Sequence, residues 1–378
     1  MVLEDFLNSK PLYYDDIDFN NVNIAWEYLS SHIKLPFVIH IVGTNGKGST
    51  GRYLSSFLTQ SNFKTLHYSS PHILKFNERI WINGFDSTDD QLDNAHEKLQ
   101  NILPQELIKK LTYFEYTTLV ALCLSDKLDY LVLEAGLGGE FDATNIVEND
   151  LSLFTTIGLD HTEFLGTSIE EIASTKMRSC DNDFIIGKQV CKIEVDNVKN
   201  KVLLSKNEIV LNEDVVLPLT ASSLPLYLQN NMRLALSALE YLKIDIIDFD
   251  VPILFGRCQK ITSNITIDVG HNSLAASVLL REFINRKDHS GNKIDLIFNS
   301  YKDKDYTATL MILKPIINKV LIINIAQDSR IEDTDILKNT CSTLSLEYDD
   351  FNNIQKDINY LVFGSFKVVE TFLENYRK

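Results

Sequence analysis

The chain has no run of about 18 apolar residues, the length that a membrane-spanning helix needs, so no span is expected. It has no C-x-x-C pair. Its five cysteines, Cys123, Cys180, Cys191, Cys258 and Cys341, are dispersed, which reads as a set of reduced thiols rather than a disulfide framework. Residues 1–10 carry Glu4 and Asp5 and lack a secretory pattern. These features together predict a cytoplasmic protein. Basic runs are absent as well. With 36 Lys and Arg against 52 Asp and Glu the formal charge is −16, and such a surface repels nucleic acid. Neither nucleic acid nor a membrane is an expected partner. An enzyme with this balance that handles anions needs local cationic pockets. There is no internal repeat and no low-complexity tract.

What is present suits a globular α/β protein. The 378 residues suggest about two domains, and 44% hydrophobic content is enough for real cores. Apolar runs and amphipathic stretches alternate, which predicts α/β architecture with a largely parallel sheet. Residues 37–42, 65–68, 129–134, 151–157 and 184–186 read as strands of a first series, with a helix over 231–242. Residues 245–252 break the pattern and read as a linker. A second series follows, with strands at 261–268, 293–298, 319–325 and 359–363. Residues 190–219 have no clear periodicity.

The most informative stretch is Gly43-Thr44-Asn45-Gly46-Lys47-Gly48-Ser49-Thr50. It follows an apolar strand and precedes a helical pattern, the context that a phosphate loop requires. Glycines let backbone N–H groups approach an anion, and the helix N-terminus adds partial positive charge. Lys47 can reach outer phosphates, and Ser49 or Thr50 can bind a phosphate oxygen or Mg²⁺. The spacing is unusual, because Gly48 separates the lysine from the hydroxyl.

Other candidates fall at strand ends, where ligands sit in open α/β sheets. Glu134 closes one strand ahead of Ala135-Gly136-Leu137-Gly138-Gly139, as a Mg²⁺ ligand, a water-positioner or a solvated acid. His161 follows another, in Gly158-Leu159-Asp160-His161. Ser168 and Glu171 make a capping box. The helix they start has Ile169, Ile172 and Ala173 on its apolar stripe, and Lys176 continues that stripe. A lysine there either takes an anionic partner or a chemical modification, or snorkels to water. Ser69-Ser70-Pro71-His72 suits a fixed loop that touches a ligand, or a plain turn. In the second half Asp268 and His271 are weaker candidates for contacts to a base or ribose, and Arg257 reads as a mobile cation at the linker exit.

These segments together resemble the dihydrofolate synthase/folylpolyglutamate synthase family of the Mur-ligase superfamily. The motifs are GTNGKGST, SSPHILKFNERI, LEAGLGGEFDATN, IGLDHTEFLG with Lys176, LFGRCQ and DVGHN, and they span nearly the whole chain. The resemblance implies a P-loop ATPase-like domain with a parallel-rich sheet over 1–250, which also binds the pterin, and a smaller Rossmann-like α/β domain over 251–378. It implies ATP contacts from Gly43, Thr44, Asn45, Gly46, Lys47, Gly48 and Ser49, and from Asn231, Arg257, Asp268 and His271. Ser70, Glu134 and His161 match Mg²⁺ ligands, and Lys176 matches a lysine that is often carbamylated. Lys47, Lys176 and His161 would be the catalytic set. Thr112, Tyr113, Phe114 and Glu115, with Phe141, Asp142 and Ala143, match segments that line the pterin-type pocket.

The implied reaction is ATP-dependent. A pteroate or folyl-glutamate carboxylate takes the γ-phosphoryl group to form an acyl phosphate, and the amine of L-glutamate displaces phosphate. The expected partners are ATP, dihydropteroate or folate, and L-glutamate, and a monomer is expected. Three positions depart from the family pattern. Glu140 stands for the usual Arg, Met177-Arg178-Ser179 for a small apolar stretch, and Ser273 for a common Pro. Two other functions compete: a Mur ligase acting on a UDP-linked muropeptide precursor, and a regulator that binds ATP without ligation.

Overall fold

The computed structural model describes residues 2–11, 18–285, 293–325 and 328–376. The chain forms two compact units. One comprises Met1–Leu224 with Leu228–Pro252, the other Pro225–Tyr227 with Ile253–Lys378.

The first unit is built on eight strands: β1 (Phe37–Val42), β2 (Thr65–Tyr68), β3 (Ile80–Ile82), β4 (Phe85–Asp86), β5 (Tyr130–Glu134), β6 (Leu151–Phe154), β7 (Asp183–Ile186) and β8 (Glu208–Ile209). Their order is β4-β3-β2-β5-β1-β6-β7-β8. The run from β2 to β8 is parallel, and β3 and β4 extend it as an antiparallel edge. Strand β1 is central because its residues from Val38 onward are buried, as expected of a parallel strand covered on both faces. The chain leaves β1 toward β2 on one side, while β6 pairs on the other. The topological switch point, where α/β sheets bind ligands, therefore lies at the carboxyl end of β1.

That end runs directly into the Gly43 loop and the Lys47–Gln60 helix. The helix lies close to β2 and β5 because small residues face the sheet. A Cβ on Gly51 would run into the His67 imidazole of β2, and one on Gly48 would come 3.1 Å from Glu134 Oε2 of β5. The residues read as a strand over 151–157 pair only as far as Phe154. Beyond it the Thr155 N–H still donates to Val42 O of β1, and Thr156 turns to the Gly43 loop, whose amides it receives. Residues 190–219 contain the helix Lys192–Val202 and the edge strand β8. The stretch read as a linker is packed onto the first unit. Phe249 is buried and stacks on Phe57 at 4.6 Å, and Gln60 exchanges two hydrogen bonds with the Asp250 backbone.

The second unit holds β9 (Gln259–Lys260), β10 (Ile265–Ile267), β11 (Ile294–Phe298), β12 (Ile317–Ile322), β13 (Glu347–Asp350) and β14 (Tyr360–Phe363), in the order β13-β12-β11-β14-β10-β9. All pairs are parallel except β9 with β10. The single strand expected over 261–268 is thus a hairpin, since Thr262 bonds Asn264 in a polar turn and only Ile265–Ile267 continues the ladder. The two α/β units match the expected fold class. Among the described residues no helix is long and apolar enough to cross a membrane.

Candidate active site

The Gly43 loop is held in place by the segment after β6. The N–H groups of Thr44 and Asn45 both donate to Thr156 O, at 2.9 and 3.2 Å. The Thr44 hydroxyl donates to Gly158 O. Gly43 must lack a Cβ because the Thr155 side chain occupies that space, and Gly46 adopts φ +94°, a left-handed conformation that favours glycine. Lys47 curls over the loop, its Nζ donating to Gly43 O at 3.1 Å and Thr44 O at 3.4 Å. Its ammonium therefore sits over the concave side of the loop.

Three further candidates meet this loop. Glu134 is buried at the end of β5, and the β1–β5 register sets it opposite Ile41. Its Oε2 accepts from the Ser70 N–H at 3.3 Å. Asn231 covers Gly46, with Oδ1 2.6 Å from where a Cβ would stand. Its Nδ2 is buried without a hydrogen-bond partner, and so is Thr50 Oγ1 on the first helical turn. Buried polar atoms are normally satisfied. Two unsatisfied ones beside a glycine loop fit a site shaped for a polar ligand such as a nucleotide phosphate. For Mg²⁺ the donors at hand are the Glu134 carboxylate and hydroxyl groups. These are hard oxygen ligands of the kind Mg²⁺ takes, one or two carboxylates sufficing when phosphate oxygens complete the shell. Among the described residues no group of three or more His, Cys, Asp and Glu side chains is gathered to hold a metal by itself.

Lys176 lies on the helix Ile169–Met177, started by the reciprocal Ser168–Glu171 capping box read from the sequence. It is 4% exposed, so it does not snorkel. Burial, and secondarily repulsion from Lys47, pushes its pKa down to about 7, against the opposing pull of Asp160 and Asp142. At neutral pH a large fraction of this amine is uncharged and nucleophilic. Asp142 is itself buried. Its carboxyl is pushed above the usual range by burial, opposed by N–H bonds from Leu137 and Thr144, the Thr144 hydroxyl and the charge of Lys47. Lys47, Lys176, Asp142 and Asp160 thus form one electrostatic group. His161 stands beside it in a left-handed conformation (φ 51°), its N–H donating to Asp160 Oδ1.

The segment 112–115 divides its work. Thr112 and Glu115 form the capping box of the helix Tyr113–Leu124. The Phe114 ring lies where a Cβ on Gly136 would be 2.6 Å from its Cζ, which holds the loop after β5 to glycine. Tyr113 packs under the Arg79 guanidinium, 5.3 Å from the ring centroid. Phe141 is 58% exposed and pairs with Phe19 at 5.7 Å, and Ala143 is buried.

Within the second unit, Asp268 accepts from the N–H groups of Cys258 and Gly270, both at 2.7 Å, and from the Tyr227 hydroxyl at 3.2 Å. Its carboxylate fixes the backbone on either side of β10. Arg257 lies over the Phe366 ring at 5.3 Å, and His271 packs against the same ring at 6.5 Å. The three candidates therefore form one cluster. Ser273 opens the helix Ser273–Asn285, and Asn272 Oδ1 caps the Ala275 N–H.

Reading the sequence passed over Asp160, which pulls more strongly on Lys176 than Asp142 does. It also passed over Thr155 and Thr156, which hold the loop. Their signal was present: two threonines directly after an apolar strand.

Residues 41–182, which include the loop, Glu134, His161 and Lys176, match the Mur ligase middle domain. The dihydrofolate synthase/folylpolyglutamate synthase of Haemophilus influenzae is 30% identical, with 96% of this chain and 93% of the relative covered. The Helicobacter pylori folylpolyglutamate synthetase structure is 37% identical with a TM-score of 0.77, covering 99% and 98% of the two chains. Escherichia coli FolC in complex with DHPP and ADP is 25% identical, with a TM-score of 0.84 and coverage of 100% and 98%. The chain belongs to the dihydrofolate synthase/folylpolyglutamate synthase family, with a Mur-ligase middle domain at its centre.

Proposed function

We infer that this protein is an ATP-dependent ligase that joins L-glutamate to dihydropteroate, to reduced folyl-glutamates, or to both. The observation that carries the reading is the Lys47 loop, which has Glu134, Asn231 and the buried Lys176 group gathered at the switch point of one sheet. The family's named activities support it. The FolC complex with DHPP and ADP supports a pteroate-type acceptor and ATP as the phosphoryl donor.

The residues divide the work as follows. Gly43 to Ser49 form the phosphate loop, in which Thr156 holds the Thr44 and Asn45 amides while the first N–H groups of the Lys47 helix are proposed to face the β- and γ-phosphates, and Lys47 neutralises charge on the transferred phosphoryl group. Asn231 Nδ2 supplies a further donor beside Gly46. Ser70, Glu134 and His161 are the proposed holders of Mg²⁺, which would offset negative charge on the phosphates. Arg257, Asp268 and His271 are proposed as nucleotide-contacting positions of the second unit, with Asp268 acting through the backbone it fixes. Phe114, Phe141 and the loop between Gly136 and Ala143 are proposed to receive the acceptor, with Thr112, Tyr113 and Glu115 behind them. The acceptor carboxylate attacks the γ-phosphorus and ADP leaves. The neutral amine of glutamate then attacks the acyl carbon, phosphate leaves, and the amine gives up its proton.

Lys176 is proposed to be carbamylated. Its neutral Nζ adds to CO₂, forming an N–C bond and releasing a proton, and the anionic carbamate faces the ammonium of Lys47. The depressed pKa supports this, because only the free amine reacts. Isotope-labelled bicarbonate should give a carbamate resonance that Lys176→Met abolishes. An active protein with no such resonance would leave Lys176 as a bare amine. The cytoplasm is the proposed location and a monomer the proposed state.

The deciding assay is glutamate-dependent ADP release with dihydropteroate, tetrahydrofolate and a UDP-linked muropeptide in parallel. Turnover with either of the first two is expected. Turnover with the muropeptide alone would make the chain a Mur ligase. ATP binding without ligation would make it a regulator.

A further inference from the structure

The loop after β5 is docked on the last turn of the helix that carries Lys176. Gly139 sits against that turn so closely that a Cβ would lie 2.8 Å from Lys176 O and 2.9 Å from Ser179 Oγ. The Glu140 N–H donates to Thr175 O at 3.0 Å. The Glu140 carboxylate accepts from Arg178 Nε, the residue that ends the helix. Arg178 also donates from NH2 to Thr175 Oγ1 at 3.4 Å. On its other side the loop closes on itself, with the Asp142 N–H donating to Gly139 O and Asn145 Nδ2 donating to Glu140 O. Residues 139 and 140 therefore share their contacts with Thr175, Lys176, Arg178 and Ser179, while residues 141 and 142 of the same loop carry the exposed Phe141 ring and the buried Asp142.

We propose that Glu140 and Arg178 form a latch that positions the acceptor loop relative to Lys176. Neither side chain reacts. Together they set the distance between the loop that receives the acceptor and the lysine whose charge is coupled to Lys47, and in that sense both are positioning residues. The inference rests on the ligase reading for its kinetic consequence, but not for its structural one. Both side chains are partly exposed, so attraction alone is a modest force here. The stronger effect of a charge reversal comes from like charges set face to face across the latch.

The test uses the full-length chain and three variants: Glu140→Arg, Arg178→Glu and the double exchange. Amide hydrogen exchange on peptides covering residues 136–142 reads the latch directly and needs no acceptor. Each single variant should raise exchange there by about threefold to tenfold, the scale of a modest ion pair turned repulsive, and the double exchange should restore it. In the assay above, the singles should raise the acceptor KM by a similar factor and leave the ATP KM within about twofold, with recovery in the double. Unchanged exchange in the singles, or a double variant as impaired as their sum, overturns the latch. An equal rise in both KM values would make the pair a general support of the fold and also overturn it. If the parent chain turns over no folate acceptor, the ligase reading fails while the exchange data still decide the latch.

Discussion

Lys47 and Lys176 are two cations in one small region, and the protein treats them differently. Lys47 rests on the carbonyls of Gly43 and Thr44, whereas Lys176 is buried with its pKa near 7. Lys47→Ala should lower kcat/KM by at least about 10²-fold, the scale of a lost electrostatic donor, with little change in melting temperature. Near-parental kinetics would mean that the site is misplaced. For Lys176 the sign of the pH effect follows from its depressed pKa. Between about 7 and the ordinary value of 10.5, the unfolded chain holds a proton that the folded chain does not. Raising pH through that window therefore stabilises the fold, and the penalty is full below it. In CO₂-free buffer, where no carbamate forms, Lys176→Met should gain on the order of a few kcal/mol at neutral pH and flatten this part of the profile in denaturant titrations from neutral to alkaline pH. A parallel profile in parent and variant would show that the lysine is not buried as a bare amine.

At the scale of elements, the packing of the Lys47–Gln60 helix on β2 and β5 sets how near the loop comes to Glu134. Gly51 is the tightest point of that contact, against the fully buried His67. Gly51→Ala should cost about 1–3 kcal/mol, as overpacking does, and should also raise the ATP KM, because the shifted helix carries the loop. A variant with parental stability and parental KM would show that the helix–sheet spacing is slack. Gly46→Ala tests the other end, where φ is +94° and the Asn231 amide fills the space. Its effect should fall on nucleotide affinity more than on kcat.

For the molecule as a whole, the two units have separate cores. The first is built around residues such as Leu29, Tyr116 and Leu133, with a second cluster around Ile172 and Met177. The other unit is built around Leu296, Leu337 and Phe363. Thermal unfolding should therefore depart from a two-state transition, with a calorimetric enthalpy above the van't Hoff value. Magnesium nucleotide should raise the melting of the parent but much less that of Lys47→Ala. A single transition with equal enthalpies would show that the units unfold together.

By itself the sequence determined the α/β class, the strand–loop–helix at Gly43, the capping box at Ser168 and the inward stripe that ends at Lys176. Each depends on local spacing, which residue order carries directly. It also marked Glu140 and Arg178 as departures without a reason for either. Only the tertiary structure decided that these two meet, because Glu140 follows β5 and Arg178 ends a helix 38 residues later. The same holds for Thr156 receiving the loop's amides, for Asn231 covering Gly46, and for 245–252 packing onto Phe57 before the chain enters the second unit at Ile253. These outcomes come from strand order and register, which bring together residues that lie far apart along the chain, and no local periodicity encodes such pairings.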